Sequence, residues 1–139
     1  MWIFYELIAI VDAMHKCSIM HGDLKPDNVL IRKFQSPDDL ISDRTVMLKL
    51  IDFGQGIDMG MYPPGTQFTA KSGRKDLQCI EMKTGKPWSY EHDLYMLAGT
   101  LYTVVMGSYM NVARVAGQWK MSIKFKRSSS VFPITLTHN

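Results

Sequence analysis

Eight consecutive residues, His21-Gly22-Asp23-Leu24-Lys25-Pro26-Asp27-Asn28, set an acid, a lysine two positions on and an asparagine five positions on inside one tight loop. Pro26 fixes its own φ and donates no backbone hydrogen bond, so the segment cannot extend a helix or enter a central strand. Helical pattern ends just before the octet, and the apolar run Val29-Leu30-Ile31 follows it at once. Such a chain must bring a helix and a short sheet together around a polar loop. That is an α+β arrangement, and 139 residues make one ordinary domain's worth of it.

The helix comes from residues 2–15, where Phe4, Leu7, Ile8, Val11 and Met14 recur at helical spacing while Asp12 and His15 fall on another face. Val46 to Ile51 is a second strand-like run, able to pair with Val29–Ile31 as a short hairpin. Residues 33–45 between them carry Pro37, Asp38, Asp39 and Asp43 and read as a solvated loop; the acids fit no calcium-loop spacing. From Asp52 to Pro87 there is little periodicity, and so long a stretch without an element is usually functional or disordered. Helical pattern returns after Ser89, a candidate N-cap, with Leu94, Leu97, Ala98, Leu101, Val104 and Val105 leading up to Gly107. Beyond about Met110 the pattern decays.

Composition excludes several classes. Two cysteines, Cys17 and Cys79, make no disulfide framework and fit no zinc spacing, which points to a reducing, intracellular setting. The start, Met-Trp-Ile-Phe-Tyr-Glu, lacks a basic n-region, so no signal peptide is expected. The most apolar stretch, Leu94 to Met106, is too short to cross a bilayer, so no membrane partner is expected. The formal net charge is +3, yet all 13 acids and 11 of the 16 basic side chains fall within residues 1–93. The excess sits in an acid-free tail with few aromatics, Trp119 and Phe125, between its charges. Direct nucleic-acid binding is therefore not expected.

The acid–lysine–asparagine spacing suits phosphoryl transfer. Asp23 can accept a hydroxyl proton, Lys25 can neutralise charge on the moving group, and the Asn28 carbonyl can hold magnesium. Downstream, Asp52-Phe53-Gly54 closes the second strand. A carboxylate there supplies a further oxygen ligand, beside a glycine free to take an unusual backbone angle. Each piece alone is ordinary loop chemistry. Seven fixed identities in this order arise by chance on the order of once in 10⁵ chains.

In these residues the chain resembles the C-terminal lobe of a eukaryotic protein kinase, with HGDLKPDN at 21–28 as catalytic loop and DFG at 52–54 as the opening of the activation segment. GQGIDM at 54–59, GTQFTAK at 65–71, QCIEM at 78–82 and KPWSYEHD at 86–93 are similar to the mitotic checkpoint kinases of the budding-uninhibited-by-benzimidazole type. The resemblance implies a mainly helical lobe with a short hairpin, spanning residues 1–110 as a partial kinase domain, followed by a divergent, poorly ordered basic tail at 111–139. It implies ATP and Mg2+ as cofactors. Asp23 and Lys25 would be catalytic, Lys25, Asn28, Leu30 and Asp52 would meet the nucleotide, and Asn28 and Asp52 the metal. It also implies His15 at the end of the preceding helix, His21 orienting the loop backbone, Asp93 supporting the loop from below, and Glu81 anchoring the end of the activation segment. Transfer to serine or threonine, a histone tail as protein substrate, checkpoint proteins as partners and a nuclear, kinetochore location complete the implication.

Two departures qualify the resemblance. Gly22 replaces the arginine usual in the catalytic loop, so the activation segment is expected to order by its own packing rather than through a phosphate. Neither a glycine-rich phosphate loop nor its partner lysine strand precedes residue 21, so the N-terminal lobe is expected to be missing, as in a truncated gene product. These 139 residues alone are then expected to transfer negligible phosphoryl, since positioning supplies most of that catalysis. A kinase-like interaction module without chemistry is the alternative; retention of Asp23, Lys25, Asn28 and Asp52 weighs against it.

Overall fold

The computed structural model describes residues 2–32, 47–122 and 135–136. Helix α1, Trp2–Lys16, turns Leu7 and Val11 into the core as the apolar spacing requires. Glu6 lies on the same buried face. Its Oε1 accepts hydrogen bonds from the backbone N–H of Met47 at 2.5 Å and Leu48 at 3.1 Å, so a helix carboxylate fixes where the next strand begins. After Lys16, Ser18 takes a left-handed φ of 61° and reverses the chain into β1, Ile19–Met20.

The expected hairpin is present. Strand β2, Val29–Ile31, pairs antiparallel with β3, Leu48–Leu50, with Val29 opposite Leu50 and Ile31 opposite Leu48. The predicted solvated loop at 33–45 lies outside the described residues. Strand β4, Ile57–Asp58, returns to pair with β1 and runs into a 3₁₀ turn at Met59–Met61, so the stretch after Asp52 holds short elements where periodicity showed none.

Two helices follow. Short α2, Ile80–Thr84, ends on Gly85 in the left-handed conformation. Long α3, Glu91–Met106, ends on Gly107 at φ 65°, whose N–H closes on the Thr103 carbonyl. Ser89 does not cap α3 as predicted. Its own N–H is instead satisfied by the Glu91 carboxylate at 2.7 Å, while its carbonyl accepts from His92 N–H.

The expectation of a poorly ordered tail at 111–139 is corrected for residues 111–122, while residues 123–134 and 137–139 lie outside the described residues. Asn111–Val115 and Gln118–Ser122 form an antiparallel hairpin, β5–β6, around Ala116 and Gly117 with φ of 50° and 80°. Two successive positive φ values give the mirror-image turn that matches strand twist; Ala-Gly is an uncommon pair for it, which hid the signal. Strand β7, Thr135–Leu136, runs parallel to β2.

One cluster, Leu7, Val11, Leu24, Val29, Leu48, Leu50, Met96 and Leu97, joins α1, α3 and the β2–β3 hairpin. A second, Met20, Cys79, Met82 and Trp88, lies under the segment between β4 and α3. The loop at 21–28 runs between the two clusters, with Leu24 rooted in the first. No helix among the described residues is long and apolar enough to cross a membrane.

Candidate active site

Helix α3 and its extension fasten the loop from one side. Asp93, fully buried, accepts from the backbone N–H of His21 at 2.8 Å and of Gly22 at 2.9 Å, and from His15 Nε2 at 3.0 Å. One residue earlier, His92 Nε2 donates to the Gly22 carbonyl at 3.2 Å, and two turns on, Thr100 Oγ1 reaches the Leu24 carbonyl at 3.4 Å. His21 is locked in place. Its Nε2 donates to the Ile51 carbonyl at 3.1 Å, so Nδ1 is left as the acceptor for the N–H of Asp23 at 3.3 Å. The ring is therefore a brace for the backbone, tying the loop to the end of β3.

The chemistry-bearing side chains converge on Asp23. Its Oδ2 accepts from Lys25 Nζ at 2.5 Å and from Asn28 Nδ2 at 3.2 Å; the same amide nitrogen donates to the Asp23 carbonyl at 2.8 Å. All three side chains are mostly buried, which strengthens these charge-assisted contacts. With the amide nitrogen of Asn28 turned to Asp23, its carbonyl oxygen points away across the planar amide. Residues Pro26–Asn28 form a single 3₁₀ turn, held by Asn28 N–H to the Lys25 carbonyl at 2.9 Å and by Val29 N–H to the Pro26 carbonyl.

Asp52 joins through the hairpin. Ile51 N–H bonds the Asn28 carbonyl at 3.0 Å, so the ladder carries Asn28 and Asp52 to one end of β2–β3. Asp52 itself, exposed, takes the left-handed φ of 62° that the sequence assigned to Gly54; this is a correction, and Gly54 N–H instead caps the Asp52 carboxylate at 3.3 Å. An exposed carboxylate and an oriented amide oxygen are hard donors that fit Mg2+ shared with phosphate oxygens. No three His, Cys, Asp or Glu side chains among the described residues converge as a metal cage, and a magnesium site completed by phosphate needs none. Leu30, half-buried, stands opposite Lys49 two residues after Asn28 on β2.

Gly22 answers a steric demand. Its φ is 74°, and a Cβ there would lie 2.3 Å from the carbonyl oxygen of Gln55. The turn after Asp-Phe-Gly thus rests on the backbone of the 21–28 loop, leaving no room for a side chain. The segment beyond makes contacts of its own: Phe68 and Trp88 exchange backbone hydrogen bonds at 2.8 and 2.9 Å, Trp88 Nε1 donates to the Ala70 carbonyl, and Thr66 Oγ1 to that of Pro63. Cys79 is buried, and burial pushes its thiol up, as befits a structural residue. Glu81, expected to anchor this segment, forms no ion pair among the described residues; its backbone carbonyl accepts from Lys86.

His92 gives the site a pH dependence. Burial holds its imidazole below the usual histidine range, against the smaller opposing pull of the Gly22 carbonyl, Asp93 and Asp23. Its Nδ1 is buried without a partner. The unfolded chain takes up a proton near pH 6.5 and the folded one does not, so this stability is present above that pH and is lost as pH falls below it. One such group contributes a slope of at most about 1.4 kcal/mol per pH unit. The melting temperature is expected to drop between pH 7.5 and 5.5 more steeply in the native chain than in His92→Asn; equal slopes would refute the assignment.

Comparison with known proteins agrees with this architecture. The protein kinase domain family matches residues 2–133. The mitotic checkpoint serine/threonine-protein kinase BUB1 of Mus musculus is 42% identical over 124 residues, covering 88% of this chain and 11% of that protein. The spindle assembly checkpoint serine/threonine-protein kinase BUB1 of Saccharomyces cerevisiae is 36% identical over 138 residues, covering 91% of this chain and 13% of its own length. Among solved structures, the crystal structure of the BubR1 kinase domain superposes with a TM-score of 0.72 at 34% identity, over 90% of this chain and 37% of that one. The chain therefore spans a small share of the curated relatives it matches.

Proposed function

We propose, from the premise that this chain belongs to the protein kinase family and to its mitotic checkpoint branch, that it carries the phosphoryl-transfer loop of a serine/threonine kinase serving the spindle checkpoint. One observation carries the reading: Asp23 is gripped at a single oxygen by both Lys25 and Asn28, at the hairpin end that also presents Asp52.

The geometry supports the following roles. Asp23 orients a substrate hydroxyl and accepts its proton through Oδ1, since Oδ2 already holds Lys25 and Asn28. Lys25, 2.5 Å from Asp23, is placed to move its ammonium toward a phosphoryl group arriving beside that carboxylate. Asn28 and Asp52 would hold Mg2+ through oxygen, and Leu30 would meet the nucleotide with an apolar side chain. Bound Mg2+-ATP supplies the transferable group and neutralises part of its charge. The substrate is a protein serine or threonine, with a histone tail as the favoured case, and neither nucleic acid nor membrane is a direct partner. Checkpoint proteins at the kinetochore, in the nucleus, are the proposed surroundings.

Paramagnetic broadening tests the metal and nucleotide reading on the whole chain. Mn2+-ATP is expected to broaden the amide resonances of residues 27–30 and 52–54, and Asp52→Asn is expected to weaken that effect at least about tenfold in metal concentration, the loss of one ionic ligand. Broadening spread over surface carboxylates, unchanged by Asp52→Asn, would overturn the assignment.

A further inference from the structure

Fastening of the catalytic loop by α3 is uneven. Asp93, His92 and Thr100 hold His21, Gly22 and Leu24, all in the first half of the loop. The second half, the 3₁₀ turn that carries Asn28, meets a different group. Gly107 turns the chain sharply at the end of α3, and Tyr109 comes back across a groove walled by Leu24, Pro26, Leu77 and Met96. Its hydroxyl donates to Asp27 Oδ2, spanning 82 residues of sequence.

We infer that Tyr109 is a positioning residue: through Asp27 it clamps the turn Pro26–Asn28 and so fixes where Asn28 presents its oxygen. Ile51 N–H on the Asn28 carbonyl and the Asn28 amide on Asp23 hold the turn toward β3 and the loop, but neither reaches α3 or the chain that follows it. The turn's own two backbone hydrogen bonds, from Asn28 to Lys25 and from Val29 to Pro26, close it on itself without tying it to α3. Asp27 is exposed, so its position is set by what it bonds rather than by packing. The phenol keeps its donor proton across the physiological range, because burial and the Asp27 carboxylate push it up to about 12. Asp27 precedes Asn28 directly, so a backbone shift at Asp27 carries with it the residue whose amide faces Asp23.

The inference rests on the metal role of Asn28 for its consequence but not for its test. In Tyr109→Phe, which keeps the ring in the groove, amide hydrogen exchange at Asn28 and Val29 is expected to speed up about fivefold to tenfold, the worth of one charge-assisted hydrogen bond. Exchange at His21 and Gly22, held by Asp93, should not change. Asp27→Asn keeps an acceptor oxygen and is expected to stay within about twofold of the native chain. Unchanged exchange at Asn28 and Val29 in Tyr109→Phe would overturn the clamp, as would equal acceleration at all four amides, which marks a general loosening. Mn2+-ATP broadening at Asn28 is expected to weaken in the same variant. If broadening is absent from the native chain while the exchange pattern appears, the metal reading fails and the clamp stands.

Discussion

Asp93→Ala is expected to cost the fold about 3–5 kcal/mol, the usual price of removing one member of a buried, hydrogen-bonded charge network. The carboxylate is fully buried and receives three donors: the N–H groups of His21 and Gly22 and the Nε2–H of His15. With the acceptor gone, two backbone N–H groups are left in the interior unpaired, each worth roughly 1–3 kcal/mol. Asp93, His21 and His92 are all buried, which leaves water little access to the freed N–H groups. Against a domain stability of about 5–15 kcal/mol this is a large fraction. Urea denaturation gives the measurement, and Asp93→Asn provides a graded second variant, since its one remaining oxygen keeps part of the network. A loss below about 1 kcal/mol in both variants would show that the loop is held by other means.

Gly22→Ala is expected to be nearly as damaging, for a different reason. Two costs combine at this position. A left-handed φ of 74° is unfavourable for alanine by about 1–2 kcal/mol. The new Cβ would also sit 2.3 Å from the Gln55 carbonyl oxygen and 3.0 Å from its carbon, and both are backbone atoms that yield only if the chain after Asp52 shifts. Gly73 supplies the control. It too is left-handed, at φ 65°, but a Cβ there meets nothing within 4 Å. Gly73→Ala should therefore show the conformational cost alone, and Gly22→Ala should exceed it by about 1–3 kcal/mol, the usual range for overpacking. The extra damage should appear as altered chemical shifts at residues 52–56. Equal losses in the two variants would mean that the loop and the Asp-Phe-Gly segment are not in contact in solution.

These two sites show where local pattern carried information and where it did not. Helices α1 and α3 were legible from apolar spacing, and the β2–β3 hairpin from two apolar runs, because burial on one face imposes a period on the residues themselves. Hairpin β5–β6 was not, since its faces are largely exposed and impose no such period. The chemistry of Asp23, Lys25 and Asn28 was legible because all three partners lie within six residues, and local backbone geometry decides whether they meet. Asp93 beneath the loop came from family resemblance; nothing in its neighbours along α3 marks it. Glu6 carries no local mark of its role, yet it holds the start of β3. Tyr109 carried no signal at all.

The sequence by itself determined the two long helices and the β2–β3 hairpin, the loop that bears the acid, lysine and asparagine, and the family to which they point. It could do so because spacing within a helix, a strand or one turn is short-range and leaves a periodic trace. Only the tertiary structure decided which groups hold that loop in position: Asp93 under His21 and Gly22, Gln55 against Gly22, and Tyr109 on Asp27. Each of these contacts joins residues more than 30 apart and rests on a single polar atom or a missing Cβ. A lone side chain has the same local sequence whether it faces water or a buried backbone N–H, so packing alone distinguishes the two.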